Sequence, residues 1–354
     1  MNLMIGTDPA GKGGIASVIT VFMASGFLQQ YAVRYLCSHA ESGLLKKLVL
    51  FVRTGAELIK YCIFSRPCIV HVHAASHASF IRKALLLAVA RSFGCKTIFH
   101  LHGGGFKRYV TEESGAVMQA FVRATLERSS QVIALSDQWA GFLCQFAPKA
   151  KVMVLANSVV LTDLCDGSNE QDGRILFLGR IDAQKGIFEL LAAIALLKPT
   201  YPAIKLIIAG EGDFASVQYN AQALGIAACV ECLGWIDNEQ KAQELQKACI
   251  FTLPSHAEGL PMSMLEAMSA GKAIVVSNVG GIPSVVHHQI SGLLVQPGQV
   301  AELAAALGQL LGDKALRTQF AKNARQLIED HYSSCSVLDR LALLYDDLSG
   351  ITSV

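Results

Sequence analysis

The chain has 354 residues, of which 52% are hydrophobic and 16% charged, with a formal net charge of +2. That length exceeds one ordinary hydrophobic core and suits two domains, and the composition excludes a disordered polypeptide. The charge is divided: residues 1–170 carry 17 Lys and Arg against 10 Asp and Glu, and residues 171–354 carry 13 against 18. A basic half suits an anionic surface such as a membrane leaflet, where each nearby cation is worth roughly 1 kcal/mol. No dense basic run or reader motif points to nucleic acid. The ten cysteines are scattered, mostly in apolar runs, as small buried hydrophobes are. Cys229 and Cys232 form a lone C-x-x-C without a second pair or a histidine at metal spacing. The first residues lack the basic start and apolar run of a signal peptide, and no stretch reaches about 18 uninterrupted apolar residues. The expected compartment is the reducing cytosol.

Short apolar runs alternate with longer amphipathic stretches. In chain order the expected strands are 2–5, 68–72, 97–102, 131–136, 151–155, 174–178, 205–209, 229–233, 250–253, 273–277 and 292–295. Helices are expected between them, among them 44–64, 80–93, 115–128, 187–197, 260–270 and 336–348. This alternation predicts an α/β chain of two doubly wound, Rossmann-like parallel sheets covered on both faces. The turn-rich segment 162–173, TDLCDGSNEQDG, reads as the linker between a first domain, 1–161, and a second, 174–335. The stretch 336–354 is expected to pack back on the first domain. Ligands of such sheets bind beyond the carboxyl ends of the strands, so chemistry is sought in the loops that follow them.

The strongest signal is SHAEGLPMSMLEAMSA, residues 255–270. A strand ends, a loop carries Glu258, and Pro261 is expected at the first helical position, where its missing N–H costs nothing. Glu266 lies further along that helix. The free N–H groups of the first turn and the helix dipole favour an anion such as a diphosphate. A second signal, LGRIDAQKG at 178–186, places Arg180 and Lys185 in the loop after a strand. Their spacing suits convergence on one anion, Arg as a planar fork and Lys as a point charge. Third, Gly11-Lys12-Gly13-Gly14 follows the first strand, a turn whose backbone can approach a ligand. It is neither a Walker motif nor G-x-G-x-x-G. Fourth, His100 and His102 end one strand before Gly103–Gly105, and His71 and His73 end another. No carboxylate accompanies these histidines at ligand spacing, and the chain has no D-x-D. No divalent metal and no other cofactor is expected.

The two glutamates, seven residues apart within E-G-L-P…L-E-A-M-x-x-G-K, resemble the signature of the retaining glycosyltransferase family 4, which has the GT-B fold of two Rossmann-like domains facing a central cleft. The likeness covers nearly the whole chain. It implies transfer of a hexosyl group from a nucleotide-diphosphate sugar, GDP-mannose or a UDP-hexose, to an acceptor hydroxyl with retention. It places the donor on the second domain and the acceptor on the first. It implies that Glu258 contacts the donor sugar, Glu266 the ribose, Arg180 and Lys185 the diphosphate, and the backbone of Gly259, Leu260, Pro261 and Met262 the sugar or phosphates. His102 would reach the sugar, and Gly13 and Gly14 would lie against the donor phosphate. Gly179, Gly210, Trp235 and Ile236 would line the nucleotide crevice. Two positions depart from the family pattern: Ser158 follows Asn157 where glycine is usual, and Ser284 follows Gly280-Gly281-Ile282-Pro283 where an acid is common. Neither touches the diphosphate signals. Two rival readings share the architecture, a nucleotide-sugar epimerase and a non-catalytic nucleotide-sugar-binding scaffold.

One further stretch bears on the acceptor. In 44–64 the residues Leu44, Leu48, Phe51, Gly55, Leu58 and Cys62 recur on one face, and Lys46, Arg53 and Lys60 on another. This reads either as a covering helix or as a basic helix lying in a membrane interface. The family resemblance implies lipid-linked glycan acceptors of cell-surface polysaccharide synthesis, and a protein peripheral to the inner membrane face.

Overall fold

The computed structural model describes residues 1–40, 43–165 and 168–350. The chain divides into two compact units, Met1–Ser158 with Ser334–Val354, and Val159–Ser333. Each is built on one parallel sheet of six strands. In the first unit these are β1 (Asn2–Gly6), β2 (Val33–Cys37), β3 (Ile69–Ala74), β4 (Lys96–Leu101), β5 (Gln131–Ala134) and β6 (Val152–Val154), in the order β2-β1-β3-β4-β5-β6. In the second they are β7 (Arg174–Leu178), β8 (Lys205–Ala209), β9 (Val230–Gly234), β10 (Ile250–Leu253), β11 (Ala273–Ser277) and β12 (Leu293–Val295), in the order β12-β11-β10-β7-β8-β9.

Strands buried on both faces cannot alternate, so they read as continuous apolar runs. β7, β10 and β11 are of this kind, with every residue buried. β2 escaped the sequence reading because it is an edge strand: Val33 and Leu36 are buried while Arg34 is exposed. In each sheet the connections run outward from a central pair, β1 and β3 in the first unit and β7 and β10 in the second. The crevice beyond the carboxyl ends of such a pair is where an open α/β sheet receives its ligand.

The polar segment 162–173 lies in the second unit, where the Thr162 amide donates to Ser269 Oγ at 3.1 Å and the Gln171 amide to the Lys247 carbonyl at 2.9 Å. Residues 166 and 167 of that segment lie outside the described residues. The last helix, Ser334–Ser349, belongs to the first unit and buries Tyr345 completely. Of the stretch 336–354, residues 351–354 lie outside the described residues. Helix Leu44–Phe64 departs from its expected facing. Leu58, Cys62 and Thr54 point into the first unit. Leu48, assigned to that same face, is 59% exposed, and the side chain of Leu44 lies outside the described residues. The outward side carries a second apolar stripe of Leu45, Leu48, Val49, Val52, Ile59 and Ile63, flanked by exposed Lys46, Arg53 and Lys60. Among the described residues no helix is long and apolar enough to cross a membrane.

Four histidines stack through the first unit at the ends of β3 and β4. His73 Nδ1 lies 2.8 Å from His102 Nε2, His71 Nε2 lies 3.2 Å from His100 Nδ1, and His71 Nδ1 lies 3.1 Å from the Tyr345 hydroxyl. Burial holds His71 down to about 3, and drives His73 and His100 well below the usual histidine range. The folded state therefore keeps these rings neutral. Their contribution to stability is fully present above about pH 6.5, the ordinary histidine value, and is lost as the pH falls toward the folded values. Each ring changes the unfolding free energy by about 1.4 kcal/mol per pH unit within that window. Urea unfolding of the first unit should accordingly become easier from pH 6.5 to 5, and His100→Phe should flatten the slope. An equal slope in wild type and variant would contradict the assignment.

Candidate functional site

The second unit brings most of the singled-out residues to its own switch point. β7 and β10 are adjacent parallel strands, so the loops after them lie side by side. The β7 loop carries Gly179, Arg180 and Lys185, and the β10 loop carries Ser255 through Pro261. Asp182 caps a tight turn at Ala183–Lys185, accepting from the Lys185 amide at 3.0 Å. That turn aims the Lys185 side chain at the neighbouring loop, where its ammonium meets Glu258 Oε1 at 2.5 Å. The same oxygen accepts from Ser255 Oγ at 2.8 Å. Glu258 is 7% exposed. A carboxylate this buried is tolerated because a cation and a hydroxyl satisfy it.

Backbone contacts lock the two loops together. The His256 amide donates to the Gln184 carbonyl at 2.8 Å, and His256 Nε2 lies 2.9 Å from Glu189. Gly186 has φ 71°, and a Cβ there would stand 2.0 Å from the Pro254 carbonyl oxygen. No other residue allows that approach. On the other side Gly280, at φ 56°, lies so close to Glu258 that a Cβ would stand 1.9 Å from its carbonyl oxygen, and the Gly281 amide donates to Gly259 at 2.7 Å. Glu258 is thus held from three directions.

The two cations of the β7 loop do not meet at one point. Lys185 is turned inward onto Glu258, whereas Arg180 is largely exposed and pairs with Asp182 at 3.1 Å. Pro261 also sits one position earlier than expected. Its ψ of 126° is extended, so it caps the helix and Met262 is the first helical residue. The chemical consequence is kept, because the first-turn N–H groups still lack intrahelical acceptors. Leu260 and Met262 are buried at that end. Glu266, on the helix, pairs with Lys241 at 2.8 Å. Gly210 follows β8 and donates its amide to the Gly234 carbonyl at 2.8 Å, which ties the loop to the end of β9. Beyond that end stand Trp235, 49% exposed, and Ile236.

Ser255 and Lys241 escaped the sequence reading. Ser255 opens the 255–270 motif without a role of its own there and Lys241 belongs to no motif, and their roles depend on contacts across 3 and 25 residues respectively. The other three candidates, Gly13, Gly14 and His102, belong to the first unit. Gly13, at φ 135° in the region that favours glycine, is the N-cap of helix Gly14–Ala24, which has no acidic residue in its first turn. Burial pushes His102 down to about 3, against a hydrogen bond with Asn157 that acts upward.

Among the described residues, the grouping with metal-ligand character is His71, His73 and His100, whose ligand atoms lie within 4.8 Å of one another. The rings are stacked, at interplanar angles of 20° for His71 and His73 and 17° for His71 and His100. Both nitrogens of His71 are already engaged.

Comparison with known proteins covers the two units in turn. Residues 19–163 match the family described as Glycosyltransferase Family 4, and residues 166–327 match Glycosyl transferases group 1. A phosphatidyl-myo-inositol mannosyltransferase of Mycolicibacterium smegmatis is 31% identical over 53% of this chain and 48% of its own length. The chain spans 61% and 42% of the first curated relatives it matches. A sucrose-phosphate synthase of Thermosynechococcus elongatus superposes with a TM-score of 0.84 at 20% identity, covering 99% of this chain and 100% of that one. Anabaena HepE, in complex with UDP-glucose, superposes with a TM-score of 0.77 at 18% identity, covering 98% and 100%. At these identities the structural likeness is one of fold.

The buried pair yields a test. Lys185→Met should destabilise the second unit by about 3 kcal/mol, because it leaves Glu258 buried without its cation. Glu258→Gln in that background should restore part of the loss. Urea denaturation of the four proteins measures the coupling, and additive effects would contradict a buried pair. With its two matched regions, its two six-stranded parallel sheets and its glutamate loop at the switch point, the chain belongs to glycosyltransferase family 4.

Proposed function

We propose that the protein transfers a hexosyl group from a nucleotide-diphosphate sugar, GDP-mannose or a UDP-hexose, to an acceptor hydroxyl with retention of configuration. The observation that carries the reading is the Lys185–Glu258 pair at the β7/β10 switch point, beside the first turn of helix Met262–Ser269. A diphosphate is a doubly demanding ligand. It needs cations and N–H donors together, and the β7 loop and the helix end provide both. As the sugar–phosphate bond breaks, negative charge grows on the leaving phosphate. Lys185, Arg180 and the first-turn amides then stabilise the transition state more than the ground state. Glu258 holds the sugar and supports positive charge at its reacting carbon. The acceptor hydroxyl passes its proton to the departing phosphate. Glu266 takes the ribose, and Gly179, Gly210, Trp235 and Ile236 the nucleotide. In this scheme the cations serve the role a divalent metal has elsewhere, and no metal or other cofactor is required. The UDP-glucose bound to Anabaena HepE supports the choice of donor class.

The acceptor is assigned to the first unit, as a glycan on a lipid carrier in surface polysaccharide synthesis, with the protein cytoplasmic and peripheral to the membrane. Support comes from helix Leu44–Phe64, whose outward stripe joins Leu45, Leu48, Val49, Val52, Ile59 and Ile63 to flanking lysines and arginine. Apolar residues with basic flanks are the pattern of an interfacial helix on anionic lipid. The phosphatidyl-myo-inositol mannosyltransferase among the relatives supports a lipid-borne acceptor.

Two measurements test the reading. A thermal-shift screen against nucleotide-diphosphate sugars should show stabilisation of about 2.7 kcal/mol at 100 times the donor's dissociation constant. No shift with any such sugar would remove the donor assignment. Cosedimentation with phosphatidylglycerol vesicles at low salt should fall at least tenfold on Val49→Glu with Val52→Glu. Equal binding by that variant would remove the helix from the membrane reading.

A further inference from the structure

Three of the chain's ten cysteines come together at the amino ends of β3 and β4. Cys62 lies in the last turn of helix Leu44–Phe64, Cys68 immediately before β3 and Cys95 immediately before β4. Cys62 Sγ lies 3.9 Å from Cys95 Sγ, across 33 residues of chain. Both residues are buried, at 4% and 8% exposed, in the apolar core of the first unit. Cys68 is exposed. β3 and β4 are adjacent and parallel, with Ile69 opposite Lys96 and the Lys96 amide donating to the Cys68 carbonyl at 2.8 Å. Cys68 and Cys95 stand one residue back from that pair. Neighbouring strands lie about 4.8 Å apart, inside the Cα separation of about 4.4–6.8 Å that a disulfide spans.

Two buried thiols in contact are ordinary core packing. Packing does not account for the third, exposed sulfur in register beside them. Exchange between thiols and disulfides needs a sulfur that a reagent can reach and a second one placed to displace that reagent. Burial pushes the Cys62 thiol up to about 12 and the Cys95 thiol upward as well, so neither holds much of the reactive thiolate. Cys68 is open to a reagent instead. Its sulfur rests 3.9 Å from the Leu348 carbonyl oxygen, a weak contact for a thiol.

We propose that Cys62, Cys68 and Cys95 form a thiol–disulfide exchange site, which takes a low-molecular-weight disulfide at Cys68 and ends in a reversible Cys62–Cys95 bond. In the first step Cys68 attacks the reagent, bonds to one of its sulfurs and releases the other half as a thiol. Cys95 then attacks Cys68 Sγ and releases the second half as a thiol. Last, Cys62 attacks Cys95 Sγ and frees Cys68. Each attacking thiol passes its proton to the thiolate it displaces. In sum the Cys62–Cys95 dithiol loses two electrons and the reagent becomes two thiols. The bond ties the end of helix Leu44–Phe64, whose outward face carries the apolar stripe, to the entry of β4. This site is independent of the glycosyl-transfer reading.

The test treats the full native chain with oxidised glutathione, blocks the remaining thiols and maps the links by mass spectrometry. Chymotrypsin cuts after Phe64 and so separates Cys62 from Cys68. Wild type should give a Cys62–Cys95 link that an excess of reduced glutathione reverses. Cys68→Ser should slow its formation at least tenfold, and Cys62→Val should trap the Cys68–Cys95 link. Absence of a Cys62–Cys95 link in wild type overturns the proposal, as does a link that forms only in urea, because it then belongs to the unfolded chain. An equal rate in Cys68→Ser overturns the entry at Cys68. If Cys62→Val does not fold, the Cys68→Ser rate alone decides the route.

Discussion

The second unit is organised around one ion pair. Glu258 and Lys185 come from loops that follow adjacent strands 73 residues apart in sequence, and they meet in a site with little access to water. A buried pair of this kind is a weak source of stability, because desolvation offsets most of the attraction. Its value lies in position. Each partner fixes the other, and Ser255, the Gly186 turn and the Gly280 contact leave the carboxylate no alternative place. A preorganised charge needs no reorganisation when charge develops in a reaction.

The same constraint explains the glycines around it. Three loops converge on Glu258, and backbone can approach backbone that closely only where side chains are missing. The helix that follows then presents its first-turn amides beside the pair. Sheet topology, loop glycines and helix end thus act together to make one polar patch at the edge of an otherwise apolar sheet.

Much of this was legible in the sequence. The central strands announce themselves as unbroken apolar runs, and the glutamate loop, the Arg–Lys loop and their order along the chain are plain in the sequence. The limits are physical. β2 was hidden because one face of an edge strand is polar at Arg34. Pro261 was placed one residue too far into the helix, since composition cannot distinguish a cap from a first turn. The helix 44–64 was read with one apolar face and has two, because periodicity reports a stripe but not which stripe the rest of the unit covers. Pairing was invisible altogether. Nothing in the local sequence joins Lys185 to Glu258, Lys241 to Glu266 or His73 to His102, as each depends on strand order. The switch point of the second unit carries a cation paired to a carboxylate, Lys185 with Glu258.

The central claim is that the Lys185–Glu258 pair serves sugar transfer. The most direct measurement is turnover of a nucleotide-diphosphate sugar by Glu258→Gln beside the wild type, with donor binding followed in the same samples. The account predicts turnover reduced by about a hundredfold or more, in the range of losses when one transition-state contact is removed, with the fold intact and the donor still bound. Turnover close to wild type in that variant would contradict it.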